Sequence, residues 1–403
     1  MSVLNLNKLY EQIAALGSYQ RNRAQSLASA LHAAEDQVGL ASADVVAFKR
    51  KIENAKTSWL VAELTDENPF EVHSPLPRPE TYTVLSTDGS QISPDRHGPT
   101  PAFLINIGSV EIGYGGFHGY RLDSEPTLFF EEKDTIRRFG GKERDVSGPV
   151  LAALRQKMEV EVLGDMISSC ENKPAVALVD GTLILWMLET DPKSITSLGT
   201  ADLKQQSFLA FMQLINTACD SALPVAGYIS LPGSADVINA LKVHICPIEP
   251  VNCDRCPYKG SVLDEYPPCD KINGITDAAL FRRLLKPGER SSLFGSISDI
   301  LQAYGDQRVY FFYVNVGKEI ARVEVPGWVA HDKDALMLVH SVCLDQAEKG
   351  MGYPIAVAEA HEQAVVKTTD KASFERLVMR ALIKQGTSAA ESRKAIRKKG
   401  GFI

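Results

Sequence analysis

Two short stretches of the chain carry the same chemistry. "VLSTDGSQI" (Val84 to Ile92) and "AVALVDGTL" (Ala175 to Leu183) each run an apolar segment into Asp-Gly-hydroxyl, at Asp88 and Asp180. Asp-Gly is a good turn pair, because Gly accepts φ > 0 and Asp bonds its own backbone. Carboxylates brought together at one edge of a sheet instead repel each other unless a cation lies between them. Hard divalent ions such as Mg²⁺ and Mn²⁺ take oxygen ligands of this kind and keep water positions open. "GPVLAALRQKMEVEVLGDMISSC" (Gly148 to Cys170) reads as a helix and supplies Glu159 and Glu161. Two residues apart on a helix they point about 200° apart, so only one faces a sheet. "GYPIAVAEAHEQAVV" (Gly352 to Val366) places Tyr353 and His361 near one helical face. An imidazole beside carboxylates tilts the metal preference toward Mn²⁺. Asp, Glu, Asp and His on strand, helix, strand and helix make the layout of a metal-dependent phosphoryl-transfer site, where the ion activates water and steadies the leaving oxygen.

The elements that must position these groups follow from the hydrophobic pattern. Residues 4–60 repeat Leu, Ile and Ala at three and four, the period of a helix. A Pro-rich connection, "ENPFEVHSPLPRPE", precedes three strands: Thr81–Thr87, Pro101–Gly115 and Pro126–Glu132. Their short gaps imply antiparallel neighbours. After the Glu159 helix come a strand (Ala175–Asp180), a helix (about Leu203–Ser221), a strand (Leu223–Ser230) and a short helix (Ser234–Lys242). "QRVYFFYVNVG" and "EIARVEVPGW" form a later strand pair, and helices follow at Lys333–Lys349, Pro354–Lys367 and Ser373–Gln385. The expectation is an α/β fold, a mixed sheet with helices on its faces. If its first and fourth strands are parallel neighbours, Asp88 and Asp180 emerge at the same edge.

The 403 residues are 44% hydrophobic, enough for one large domain with insertions or for two. A formal net charge of −7 excludes a general basic coat for nucleic acid, so phosphate binding must use local patches, metal or a partner. The N-terminal "MSVLNLNKLYEQ" lacks the order of a signal peptide, and no apolar run is long enough to span a bilayer. A soluble cytoplasmic protein is expected. Four of the seven cysteines, Cys246, Cys253, Cys256 and Cys269, fall in one stretch as C-x6-C-x2-C-x12-C. Reduced thiols at this spacing suit a structural zinc, or an iron–sulfur cluster as second choice, against the alternative of an insertion with unliganded thiols.

Several longer segments resemble one family. "DGSQI", "VDGTL", "GYISLPGSADVINAL", "LLKPGERSSLF", "FFYVNVGKEIARVEVPGWV" and "GYPIAVAEAHEQAVV" occur in the order seen in NurA nucleases, over nearly all of residues 75–395. The resemblance implies an RNase H-like core and a manganese-dependent DNA nuclease, a 5′→3′ exonuclease and single-strand endonuclease. It implies work in DNA end resection with a HerA-type hexameric ATPase, and a homodimer. By motif, Asp88, Asp180 and His361 look like metal ligands, with Tyr353 beside them. The helical glutamate looks like Glu159, with Glu161 left open. The organisation expected is an N-terminal helical segment (1–66), a nuclease domain (75–395) with an insertion (244–272), and a basic tail (386–403).

Other residues have possible parts in DNA binding. Arg290 and Arg322 are candidates to hold phosphates, against the alternative of buried salt bridges. Arg393, Lys394, Arg397, Lys398 and Lys399 cluster at the C-terminus, as a steering arm or as a solvated tail. Two competing functions use the same features. An actin-like ATPase or sugar kinase also builds Asp-Gly-hydroxyl turns on such a sheet. A non-catalytic dimeric adaptor of a DNA translocase would keep the fold without the chemistry.

Overall fold

A computed structural model describes residues 6–94, 100–117, 119–139, 142–146, 148–186, 201–258 and 266–386. The strands in chain order begin with β1 (Ala62–Leu64), β2 (Val72–His73), β3 (Tyr82–Ile92), β4 (Phe103–Tyr114) and β5 (Tyr120–Phe129). They continue with β6 (Ile136–Phe139), β7 (Lys142–Asp145), β8 (Ala175–Asp180) and β9 (Val225–Ile229). The last are β10 (Arg290–Ser291), β11 (Phe294–Ser296), β12 (Val309–Asn315) and β13 (Ile320–Pro326). The helices needed below are α1 (Tyr10–Ala43), α2 (Val45–Glu53), α3 (Gly148–Ser169), α4 (Ala201–Asp220), α5 (Asp236–Ile245), α6 (Asp277–Leu284), α7 (Lys333–Lys349), α8 (Ile355–Ala364) and α9 (Thr368–Lys384).

The chain divides into two compact units. One comprises Met1–Pro75, Ile229–Leu301 and Arg308–Glu324. Here β1, β11, β12 and β13 lie side by side, and the short β10 bridges β12 and β2. The buried stripe of α1 (Ala30, Ala34, Val38, Ala41) and Phe48 of α2 join Leu241 of α5, Phe281 of α6, Phe311 and Tyr313 in its core. Val251 and Ile272, from the Cys-containing stretch, are buried in the same core. The Pro-rich connection is not structureless, since its Val72–His73 pairs with Arg290–Ser291.

The other unit comprises Leu76–Tyr228, Gln302–Gln307 and Val325–Ile403. Its strands run β5-β4-β3-β8-β9. β3, β4 and β5 are an antiparallel meander, and β8 and β9 add in parallel. This is the RNase H-like strand order, with the first and fourth strands of the unit adjacent and parallel, as the sequence requires for a shared edge. α3 covers one face, where Phe103, Ile105 and Ile107 of β4 meet Val150, Leu151 and Ala153. α8 covers the other.

The helix expected over residues 4–60 is split at Asp44 and ends at Glu53, the last helix begins at Thr368 rather than Ser373, and two strand boundaries also differ. β3 does not stop at Thr87; it continues through Asp88, Gly89 and Ser90 to Ile92, paired throughout with β4. The third strand begins at Tyr120 rather than Pro126. Pro126 lies within it without cost to the ladder because β5 ends the strand order of its unit and can leave one edge unbonded.

Candidate active site

The parallel pairing of β3 and β8 runs from Thr83↔Ala175 to Thr87↔Val179. Asp88 and Asp180 are the next residue on each strand, so both carboxylates leave the sheet at one end. The two Asp-Gly pairs then diverge. Gly181 takes φ +94 and turns the chain away after Asp180, the role the turn reading gives it. Gly89 stays extended and works by lacking a side chain. A Cβ there would sit 2.4 Å from Glu159 Oε1 and 2.8 Å from Arg155 Cγ. The bare backbone lets α3 press its Glu159 carboxylate against the strand end. The Thr87 hydroxyl ties this turn of α3 down by donating to the Glu159 carbonyl at 3.1 Å.

Strand alternation puts Asp88 and its β4 partner Gly108 on the opposite face from Gly89. There α8 crosses against bare backbone. A Cβ at Gly108 would lie 2.3 Å from the Ala360 carbonyl oxygen and 2.4 Å from the Ala364 nitrogen. The last carbonyls of α8 need donors. Asn106 Nδ2 supplies them to Ala364 at 2.7 Å and Gln363 at 3.1 Å, and Ser90 Oγ also donates to Ala364. At the other end Gln346 Oε1 accepts from the Ala356 N–H at 3.1 Å. So clamped, α8 sets His361 Nδ1 2.7 Å from Asp88 Oδ2. Tyr353 donates from its hydroxyl to Asp180 Oδ1 at 2.8 Å, with its ring edge-on to Tyr228.

Of the two glutamates left open by the sequence, Glu159 reaches the carboxylates. Glu161 is half-exposed and pairs with Lys157 at 2.9 Å. Burial raises the Glu159 carboxyl to about 7, with Asp88 and Asp180 adding and Arg155 opposing. Arg155 Nε stands 3.1 Å from Glu159 Oε1, yet neither atom has a hydrogen-bond partner and both are buried. A cavity of about 60 Å³ opens here, its polar wall formed by Asp88, Glu159, Asp180, Gln156 and Thr182.

These residues fit a divalent ion. Three carboxylates and an imidazole are the donor set expected for Mn²⁺ or Mg²⁺. The buried Glu159 oxygen has no hydrogen-bond partner, and a divalent ion would satisfy it. Among the described residues no three His, Cys, Asp or Glu side chains stand at ion-holding spacing in this arrangement.

That finding also bears on the four cysteines. Cys246, Cys253, Cys256 and Cys269 are free thiols of intermediate exposure and do not converge on a common centre as expected. Burial pushes the Cys269 thiol up, and Asp270, Cys246 and Cys256 add to this. The two candidate phosphate arginines are buried. Arg322 is paired with Glu324 at 2.9 Å and with Asp236, and stacks 3.7 Å over Phe311. Arg290 donates to the Ser291 carbonyl at 2.8 Å and lies 3.8 Å from Glu67. Both take the buried-pair alternative, because β10 and β13 are buried along their whole length. Arg393, Lys394, Arg397, Lys398 and Lys399 lie outside the described residues.

Sequence reasoning missed the clamp on α8. Its one visible signal is Gly108 inside "FLINIGSVEIGY", since an interior strand glycine marks a close backbone approach. No helix among the described residues is long and apolar enough to cross a membrane.

Comparison with known proteins bears on this site. No curated protein matches the chain. Among solved structures, the NurA nuclease from Sulfolobus solfataricus is 13% identical with a TM-score of 0.54, covering 94% of this chain and 98% of that one. A structure of NurA bound to dAMP and manganese is 12% identical with a TM-score of 0.44, over the same shares of the two chains. At such identity the likeness to the Sulfolobus protein speaks for the fold. A family model for the NurA domain matches residues 82–366, which include Asp88, Glu159, Asp180, Tyr353 and His361, and the chain belongs to the NurA family.

Proposed function

We propose that this chain is a nuclease that hydrolyses DNA phosphodiesters with a divalent metal ion, Mn²⁺ by preference and Mg²⁺ in its place. The observation that carries the reading is the buried Glu159 carboxyl, orphaned and raised to about 7 between Asp88 and Asp180. Such a cluster calls for a cation. Asp88, Glu159, Asp180 and His361 would hold it. Bound there, it supplies charge stabilisation at the phosphoryl oxygens and a more acidic water. The protein's own groups fix the geometry: His361 orients Asp88, Tyr353 orients Asp180, and Gly89 admits Glu159. No side chain is needed as a nucleophile.

The finer reading follows family membership. It is a 5′→3′ exonuclease and single-strand endonuclease in DNA end resection, acting in the cytoplasm as a homodimer with a HerA-type hexameric ATPase. Cleavage of 5′- and 3′-labelled single- and double-stranded DNA with Mn²⁺, Mg²⁺ or EDTA tests it, alongside Asp88→Ala and Asp180→Ala. Metal-dependent cutting lost in both variants is expected, and the label pattern gives polarity. Cutting that survives in EDTA or in both variants refutes the site. Inactivity cured by the translocase would make the nuclease partner-dependent, and inactivity that persists would favour the adaptor.

A further inference from the structure

A phosphodiester is an anion, and Asp88, Glu159 and Asp180 present it with an acidic edge. Among the described residues, the cation in contact with that edge is Arg155. It sits on α3 one turn before Glu159, with its Nε 3.1 Å from Glu159 Oε1. The pairing is one of charge only: both atoms are buried and neither finds a hydrogen-bond partner. The side chain is 35% exposed although its Nε is buried, so part of it reaches solvent. Its stem is held in place, because Arg155 Cγ occupies the space a Cβ at Gly89 would take, 2.8 Å away.

We infer that Arg155 contacts the DNA backbone, its guanidinium passing from Glu159 to a substrate phosphate when a metal ion takes the carboxylate. This rests on the nuclease reading above. A metal ion and a guanidinium compete for one carboxylate, so loading Glu159 with the ion releases Arg155. Guanidinium is always charged, and its donor fork matches phosphate oxygens. The anchored stem keeps the released fork at the same edge, where the phosphate must come. In the metal-free state Arg155 partly offsets the charge of Glu159; in the loaded state it would offset the charge of the substrate.

The inference separates two affinities that a merely structural arginine would move together. Mn²⁺ binding to DNA-free protein is measured by loss of the free-ion EPR signal. Binding of fluorescent single-stranded DNA is measured by anisotropy in Ca²⁺, with a gel confirming that the DNA stays intact. Arg155→Gln should bind Mn²⁺ as tightly as wild type or several-fold more tightly. It should bind DNA about tenfold more weakly, with a salt slope shallower by about one. Arg155→Lys keeps the charge without the fork and should recover part of the DNA affinity; it also carries the test if the glutamine variant misfolds. Unchanged DNA affinity, or loss of Mn²⁺ binding together with DNA binding, would overturn the inference. Wild-type cleavage with Mn²⁺ is scored in the same series. If wild type does not cut, the nuclease reading fails separately, while the opposed shifts in Mn²⁺ and DNA affinity still test Arg155.

Discussion

Gly108→Ala is a test of how the imidazole reaches the carboxylate. The added methyl would sit 2.3 Å from the Ala360 carbonyl oxygen and 2.4 Å from the Ala364 nitrogen, where ordinary contact begins near 3.4 Å. Both neighbours are backbone, so no rotamer change relieves the overlap, and α8 must back away by about 1 Å. Asn106 and Ser90 bond the same end of the helix and resist that retreat. Overpacking of this kind costs roughly 1–3 kcal/mol. His361 follows Ala360 and would move with it, stretching its 2.7 Å contact with Asp88 beyond hydrogen-bond range. A displacement of about 1 Å at reacting groups costs on the order of 100-fold in rate. The assay is Mn²⁺-dependent cleavage of end-labelled DNA, with a thermal melt of the same sample. Gly39→Ala is the control, because a Cβ there meets nothing within 4 Å. If Gly108→Ala cuts within threefold of wild type at the same Mn²⁺ half-saturation, α8 does not set the site as described.

Gly89→Ala should behave differently, because its methyl meets side-chain atoms of Glu159 and Arg155 rather than backbone. It should melt near wild type yet need at least about tenfold more Mn²⁺, since a displaced ligand is lost affinity; a normal Mn²⁺ titration counts against the role of Gly89. Glu159, raised to about 7 from an ordinary 4.5, binds its proton more tightly folded than unfolded. Its contribution to metal-free stability is therefore full below about 4.5 and is lost as pH rises to about 7, roughly 3 kcal/mol in all. Because Mn²⁺ must displace that proton, the rise in Tm on adding Mn²⁺ should grow from about pH 6 to about pH 8. A Mn²⁺ effect independent of pH refutes this. Arg322→Met strands Asp236 and Glu324 and should cost about 3–5 kcal/mol in urea unfolding; a loss below about 1 kcal/mol would show the pairs are not what holds β13. Glu161→Gln should leave cleavage unchanged and stability within about 0.5 kcal/mol, given its exposed pair with Lys157.

Much of this was legible in the sequence because the main elements are local. The three sequential strands, the helical period of α3 and the strand at β8 follow from pattern and chain order, while the parallel pairing of β8 with β3 is only a condition in the sequence, which the fold meets. Lys333–Lys349 is helical over the full span its pattern suggests. Other features depend on contacts that no local window holds. Asp88-Gly89 looks like a turn because the pair usually makes one, and only pairing with Gly108 and Ile107 of β4 keeps it extended. Glu159 and Glu161 are equivalent in the sequence, and the missing side chain of Gly89 is what separates them. Arg322 in "IARVEVP" reads in the sequence as a phosphate-holding candidate or a buried salt bridge; every residue of β13 is buried, so its charge had to be met by Asp236 and Glu324.

His361 and Asp88 are 273 positions apart in the chain. A ribosome that has completed β3, α3 and β8 has already made all three carboxylates. It has not yet made the tyrosine and the imidazole that hold two of them. Any product that terminates before Tyr353 carries Asp88 and Asp180 without the groups that orient them. The two aspartates can therefore be oriented only once the chain has been made as far as His361.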